Sequence, residues 1–304
     1  MPISFVQRRP KTPTGPRPTD EAVNAFVEFF EATDLEHARE AFERSCAEVE
    51  VKPYGAINEF YRNYKIALKE HVPYKYRDIW KILDKKANQK PYQGWVAEGQ
   101  NVLVVGAGPC GLRTAVETQL MGANTVIIER RNAFSRNNIL KLWKFLIEDL
   151  KTLGAKKLYG MFCAGNINHV GIKTLQLILA KVVLLLGVRI VAPSKLVELI
   201  EPDEKGSGWR AKVSPENEII SNYEFKFLVV ASGKNVAIDC FDRRSLDAKL
   251  AIAVTANFVN SHTAEEAEVR QISGIAKQFH QVRCFVSNIT HSIRRQTFQK
   301  RFWI

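Results

Sequence analysis

The chain is poor in cysteine, and the cysteines it has are badly spaced for cross-linking. Cys46, Cys110, Cys163, Cys240 and Cys284 are an odd number with no CxxC pair, which argues against a disulfide framework or a zinc module and fits a reducing compartment. His37, His71, His169, His262, His280 and His291 are scattered, without HExxH or another close ligand pair, so no metal site is expected. Long hydrophobic runs are missing as well. The most apolar stretch, "LQLILAKVVLLLG" from Leu175, is too short to span a bilayer and carries Lys181 inside it. The opening "MPISFVQRRPKTPTGPRPTD" lacks the apolar segment of a signal peptide, and residues 1–19 are expected to form a disordered basic leader. A cytoplasmic protein with no membrane attachment is the expectation.

Acidic residues are also in short supply. The formal charge is +12, with a pI near 9.5, which predicts attraction to an acidic partner without choosing between nucleic acid, anionic lipid and protein. No RRM, zinc finger or basic helix accompanies the charge, so nucleic acid is not the expected partner. No acid follows Glu268, and residues 270–304 read as a divergent basic tail without strand and helix order. What is present is 304 residues that are 46% hydrophobic, enough to bury one sizeable core or two smaller ones.

From Asp20 to about Lys90 the pattern is helical. "DEAVNAFVEFFEA", "LEHAREAFERSCAEV" and "YGAINEFYRNYKIALKE" repeat apolar residues three and four apart, Val23, Phe26, Val27 and Phe30 among them, so each helix has one face to bury. Asp20 is a candidate cap for the first, and Pro53 breaks the chain before the third. Residues 20–99 are therefore expected to form an N-terminal helical region. At Asn101 the composition changes to a buried strand, a glycine turn, a helix from about Leu112 to Leu120 and a second strand from Thr125 to Ile128. "KTLQLILAKVVLLLGVRIV" repeats the order, with Gly187 ending the helix and Val188 to Val191 forming a third parallel strand. "KLVELIEP" and "GWRAKVSP", with Gly206 and Gly208 in the turn between them, read as an antiparallel hairpin. "NEIISNYEFKFLVVAS" continues as extended chain, and Phe225 to Ala231 at its end is expected to be a fourth buried parallel strand. The fold class is α/β: a Rossmann-like parallel sheet over residues 100–269 with an antiparallel insertion, behind the helical region.

Gly106, Gly108 and Gly111 form GxGxxG directly after the first strand. The first glycine permits the turn, the second lets backbone approach a pyrophosphate, and the third lets helix and strand pack closely. The free N–H groups at the helix start face the same place. Glu129, at the end of the second strand, is placed to accept both hydroxyls of an adenosine ribose and to repel the extra phosphate of NADP, which favours an FAD or NAD adenosine. Arg130, Arg131 and Arg136 either serve a diphosphate or make a solvated basic loop. Asn137 and Asn138 follow; Asn138 either meets a polar atom of a flavin or ribose, or caps a helix beginning near Ile139. Cys110 lies where a pyrophosphate would sit, so contact with the cofactor is its expected role rather than nucleophilic chemistry. "SGKNVAIDCF", Ser232 to Phe241, reads equally as backbone close to a cofactor or as a strand-terminal turn, with Asn235 and Asp239 unassigned. Trp80, Trp95 and Trp143 are expected to pack rather than to cage a substrate.

Taken in order, "VVGAGPCGLR", "IIERRNAFSRNN", "LGAKKLYGMFCAG", "HVGIKTLQLILAKVVLLLGV", "GSGWRA", "YEFKFLVVASGK" and "KLAIAVTANFVN" resemble consecutive segments of the flavin monooxygenase domain of the MICAL family. That domain is in turn similar to aromatic-ring hydroxylases such as p-hydroxybenzoate hydroxylase. The resemblance runs from roughly Ala25 to Ala276. It implies an FAD enzyme that takes reducing equivalents from NADPH, activates oxygen at the flavin and oxidises methionines of filamentous actin, causing disassembly. A cytoskeleton-associated monomer is expected. Family cofactor contacts carry over onto Cys110, Glu129, Arg131, Arg136 and Asn138, and no protein residue is assigned to catalysis. The lack of a second glycine fingerprint agrees with ring hydroxylases, in which nicotinamide visits the flavin without a Rossmann domain of its own. After "ISGIAKQF" the likeness stops, and the segments that complete the isoalloxazine pocket are not found. The monooxygenase fold is thus expected to be incomplete on its C-terminal side, with weak FAD retention. The alternative expectation is a non-catalytic fragment that binds actin or another acidic protein.

Overall fold

A computed structural model describes residues 18–156, 169–202, 208–233, 261 and 263–267. Most of the expected leader, the basic tail, Gly206, Asn235 and Asp239 lie outside the described residues.

Four helices come first: α1 (Asp20–Glu31), α2 (Leu35–Glu48), α3 (Ile57–Leu68) and α4 (Tyr74–Ala87). Thr19, not Asp20, caps α1. Its side chain accepts the N–H of Ala22 at 3.1 Å, while Asp20 sits inside the first turn, where its charge favours the helix dipole. Asp34 caps α2 by accepting the N–H of His37 at 3.0 Å. The apolar stripes meet in an aromatic core in which Phe26 stacks on Trp80 at 5.8 Å and Phe42 meets Tyr64 edge-on at 5.6 Å. Its hydroxyls are satisfied internally: Tyr64 donates to Ser45 Oγ at 2.9 Å, and Ser45 donates to the Ala22 carbonyl at 3.1 Å. Trp80 is buried and Trp95 half-buried, as a packing role requires; Trp143, at 69% exposed, does not pack.

The second part of the chain contains β1 (Asn101–Val105), α5 (Pro109–Leu120), β2 (Asn124–Ile128), β3 (Ile139–Lys141), α6 (Lys144–Thr152), β4 (His169–Gly171), α7 (Ile172–Leu185), β5 (Arg189–Val191), β6 (Lys195–Ile200), β7 (Arg210–Ser214), α8 (Glu218–Ser221) and β8 (Phe227–Val230). A further short helix, α9, covers Ala264–Ala267. Four strands form one parallel sheet in the order β5-β2-β1-β8, with Val104 opposite both Ile127 and Val229. Successive side chains point to opposite faces. Val102, Val104, Ile127 and Ile190 join the core shared with α5, α7 and the N-terminal helices, whereas Leu103, Val105, Val126, Ile128 and Val191 pack on Ala211 and Val213 of β7, Ile220 and Phe225. β6 and β7 form the expected antiparallel hairpin.

Several elements differ from the sequence expectation. α5 starts at Pro109 rather than Leu112, because proline at the first helical position has its φ preset and loses no helical hydrogen bond. No helix begins near Ile139. Ile139–Lys141 is a strand paired antiparallel with His169–Gly171, so Asn138 caps nothing and its carbonyl accepts the Ile172 N–H at 2.8 Å. Residues 218–221 make a helical turn capped by Asn217 instead of extended chain. β8 is parallel as expected but not buried: it pairs with β1 alone among the described residues, and Phe227 is 55% exposed. Lys181, inside the apolar α7, donates to the carbonyls of Phe30 and Ala32 at 2.7 and 2.8 Å, placing a cation at the C-terminus of α1.

A part-buried ionic cluster ties α4 to α5 and α6. Arg113 grips Asp149 with two hydrogen bonds of 2.6 and 2.8 Å, and Lys86, nearly buried, donates to Asp149 at 3.2 Å. The Arg113 guanidinium, and then Lys86, hold the Asp149 carboxyl below the usual carboxylate range. A depressed carboxyl contributes stability that is present at neutral pH and lost as pH falls through its folded value. Asp149→Asn is therefore expected to lower stability by about 2 kcal/mol at pH 7, with the difference from wild type shrinking in acid. Urea unfolding at the two pH values measures it.

Candidate functional site

The carboxyl ends of β1 and β2 converge beside the start of α5, at the point where the sheet order carries the chain to one side of β1 for β2 and to the other for β8. Such a point is where open parallel sheets leave a crevice. The three glycines of the turn do not share one reason for lacking a side chain. Gly106 has φ +105°, and a Cβ there would lie 2.8 Å from the Ala231 carbonyl oxygen, because the end of β8 runs against the turn. At Gly111 a Cβ would lie 2.0 Å from the Gly106 carbonyl oxygen. Gly108 has φ −71°, and the nearest atom to its would-be Cβ is 3.8 Å away. The protein's own packing requires the first and third glycines; it leaves room for a methyl at the second.

Gly108 is also the residue preceding α5 and has no side chain with which to cap it. The first-turn amides of Cys110 and Gly111 have no partner within the helix, and the partial positive charge of the N-terminus favours an anion there. Cys110 is exposed in this first turn.

Glu129 is brought directly onto the turn. Its Oε2 accepts the Ala107 N–H at 2.8 Å and its Oε1 accepts the Arg131 N–H at 3.0 Å. Its own backbone is held by Val191 at 2.9 Å and Ser194 at 2.7 Å, where the chain leaves β5. Two N–H donors orient the carboxylate, and each of its oxygens retains a lone pair for further donors. Arg130, Arg136, Asn137 and Asn138 are exposed and Arg131 half-exposed on the segment from β2 to β3. None of the three arginines is paired with a carboxylate among the described residues. Asn132 anchors the same segment to Glu36 of α2 at 3.2 Å.

One contact had no motif to announce it. Gln176, 8% exposed on α7, donates to the Ala107 carbonyl at 2.9 Å. Its only sequence signal is a lone amide in an apolar run, where burial demands a partner. Among the described residues no group of three or more His, Cys, Asp or Glu is arranged to hold a metal. No helix among them is long and apolar enough to cross a membrane.

The profile of the FAD binding domain matches residues 100–139, the segment carrying β1, the glycine turn, Glu129 and the basic loop. The profile described as the Mical Rossman domain matches residues 250–294, so likeness to that family continues past Phe279, where the sequence reading ended it. The chain is 43% identical over 269 residues to [F-actin]-monooxygenase mical2b of Danio rerio, covering 86% of this chain and 16% of that protein. It is 42% identical over 269 residues to [F-actin]-monooxygenase MICAL1 of Homo sapiens, covering 88% and 25%. It is 45% identical over 262 residues to protein-methionine sulfoxide oxidase mical3a of Danio rerio, covering 84% and 13%. The chain thus spans a quarter or less of these curated relatives. Among solved structures, aklavinone-11 hydroxylase with FAD and aklavinone overlaps 38% of this chain and 30% of its own, at 22% identity and a TM-score of 0.31. That overlap is too partial to carry weight. Over most of its own length the chain is thus similar in sequence to one part of the F-actin monooxygenases of the MICAL family.

Proposed function

We propose that the turn from Gly106 to Gly111 binds the ADP half of FAD, and that the chain supplies the flavin-binding part of an NADPH-consuming monooxygenase acting on methionines of F-actin. The observation that carries the cofactor reading is the contrast between glycines: Gly108 lacks a side chain that the protein itself has room for, in front of the uncapped start of α5 and beside an oriented carboxylate. In this reading the amides of Cys110 and Gly111 receive the diphosphate and Glu129 the ribose hydroxyls. In the same reading Arg130, Arg131, Arg136, Asn137 and Asn138, on the segment that follows Glu129, serve phosphate and flavin oxygens, which cations and amides suit. Bound flavin supplies the oxygen chemistry when reduced by NADPH; the chain's part is to bind, orient and exclude water. The substrate rests on the relatives' names, and a cytoskeleton-associated place follows from that substrate. The +12 charge suits an acidic filament, met here by a monomer.

FAD titrated into the chain is expected to lose fluorescence saturably and to be displaced by ADP. Glu129→Ala removes charge-assisted bonds of about 2 kcal/mol, roughly a thirtyfold loss of affinity. Absence of ADP-competed binding in the wild type would overturn the cofactor reading. Absence of methionine sulfoxide on F-actin incubated with the FAD-loaded chain and NADPH, read by mass spectrometry, would overturn the activity alone.

A further inference from the structure

We propose that Gln176 is a positioning residue for the dinucleotide turn, holding the Ala107–Gly108 peptide so that the Gly108 N–H faces the diphosphate; the proposal rests on the FAD reading above. Ala107 is fully buried, and both of its polar groups are engaged from outside the turn. Its N–H is held by Glu129 at 2.8 Å from the β2 side, and its C=O by Gln176 at 2.9 Å from the α7 side. The Ala107–Gly108 peptide is trans, since cis bonds occur only before Pro193 and Pro215 among the described residues. In a trans peptide the carbonyl and the following N–H point in opposite directions. Drawing the Ala107 carbonyl towards α7 therefore turns the Gly108 N–H away from it, out of the core.

The need for such a hold is physical. Gly108 has no side chain, so its flanking peptide has soft dihedrals, and a peptide flip beside it meets little resistance from sterics. A flip would present a carbonyl oxygen to the diphosphate in place of a donor. Gln176 opposes the flip because the flipped state would lose the bond to the Ala107 carbonyl and set the Gly108 N–H against the buried Nε2 donor. Glu129 grips the N-terminal side of Ala107 and so fixes the neighbouring peptide, not this one. The two side chains thus divide the turn between them.

The test compares ADP with adenosine, which lacks the diphosphate, on the full chain. Both are titrated by calorimetry or NMR into wild type, Gln176→Met and Gln176→Glu, with circular dichroism to verify the fold. In Gln176→Met, which has no donor, ADP affinity is expected to fall about tenfold while adenosine affinity holds. In Gln176→Glu the protonated acid can donate to the Ala107 carbonyl and the ionised acid cannot. Relative to wild type at the same pH, ADP affinity is therefore expected to fall as pH rises through the titration of the new carboxyl, with no such profile for adenosine. Equal losses of ADP and adenosine, or no loss of either, overturn the positioning role and leave the FAD reading intact. A wild type that binds neither FAD nor ADP overturns both. If Gln176→Met does not fold, the pH profile of Gln176→Glu decides alone.

Discussion

Gly111→Ala is expected to destabilise the fold severely, and Gly108→Ala to leave a stable fold with much weaker FAD binding. The two positions lie three residues apart in one turn, and composition or propensity would rank the changes alike. Geometry separates them. A Cβ at Gly111 meets the Gly106 carbonyl oxygen at 2.0 Å, and that oxygen is backbone, fixed between β1 and α5. Relieving the overlap means prying α5 from the sheet it covers. A loss of at least about 4 kcal/mol follows, against the 5–15 kcal/mol by which such domains are stable. At Gly108 the same methyl meets nothing closer than 3.8 Å, and φ of −71° suits any residue. Alanine there changes stability little, and places its methyl where the diphosphate approaches in the proposed reading; the expected cost is a hundredfold or so in FAD affinity, about 2.7 kcal/mol. Urea unfolding and flavin fluorescence read the two effects separately. Retained FAD affinity in Gly108→Ala would remove the main support for the cofactor site.

The second large effect is expected at Gln119, which is fully buried on α5. Its Nε2 donates to the Gly55 carbonyl at 2.8 Å and the Leu186 carbonyl at 3.0 Å, and its Oε1 accepts the Thr125 N–H at 3.2 Å. One side chain thus joins the turn before α3, the end of α7 and the start of β2. Around it Gly55 N–H donates to the Gly187 carbonyl at 3.1 Å, and a Cβ on Gly187 would press Phe60 at 2.9 Å. Gln119→Leu keeps the volume and orphans three backbone groups, each costing about 1–3 kcal/mol when buried without a partner. A net loss of about 3 kcal/mol or more is expected, since leucine recovers part of it by apolar burial. Tryptophan fluorescence during urea unfolding measures it. A single shifted transition would agree with the helical region and the sheet unfolding as one unit, as their shared core implies. Two separated transitions would show that Gln119 is not the joint.

Much of this molecule is local and therefore legible. The buried runs of β1 and β2, the GxGxxG turn between them, Gly187 ending α7 and the hairpin of β6 and β7 each express a preference of a few neighbouring residues, and all stand where the sequence places them. Glu129 is legible too, because the length of one strand and one helix determines where the chain leaves the second strand. What the sequence left open depended on partners far along the chain. Ile139 and Leu140 suit a helix or a strand until His169–Gly171 arrives beside them. Phe227 belongs to an apolar run, and only the sheet order makes β8 an edge among the described residues.

Glycine spacing and apolar periodicity act over a few residues, so a parallel α/β unit with a GxGxxG turn is readable from the chain alone. That Gln176 and Gln119 hold backbone groups 69 and 67 residues away, and that Lys181 caps a helix 151 residues before it, follows from packing alone. A buried polar side chain costs too much to stand alone, but which group repays it is settled when the elements pack.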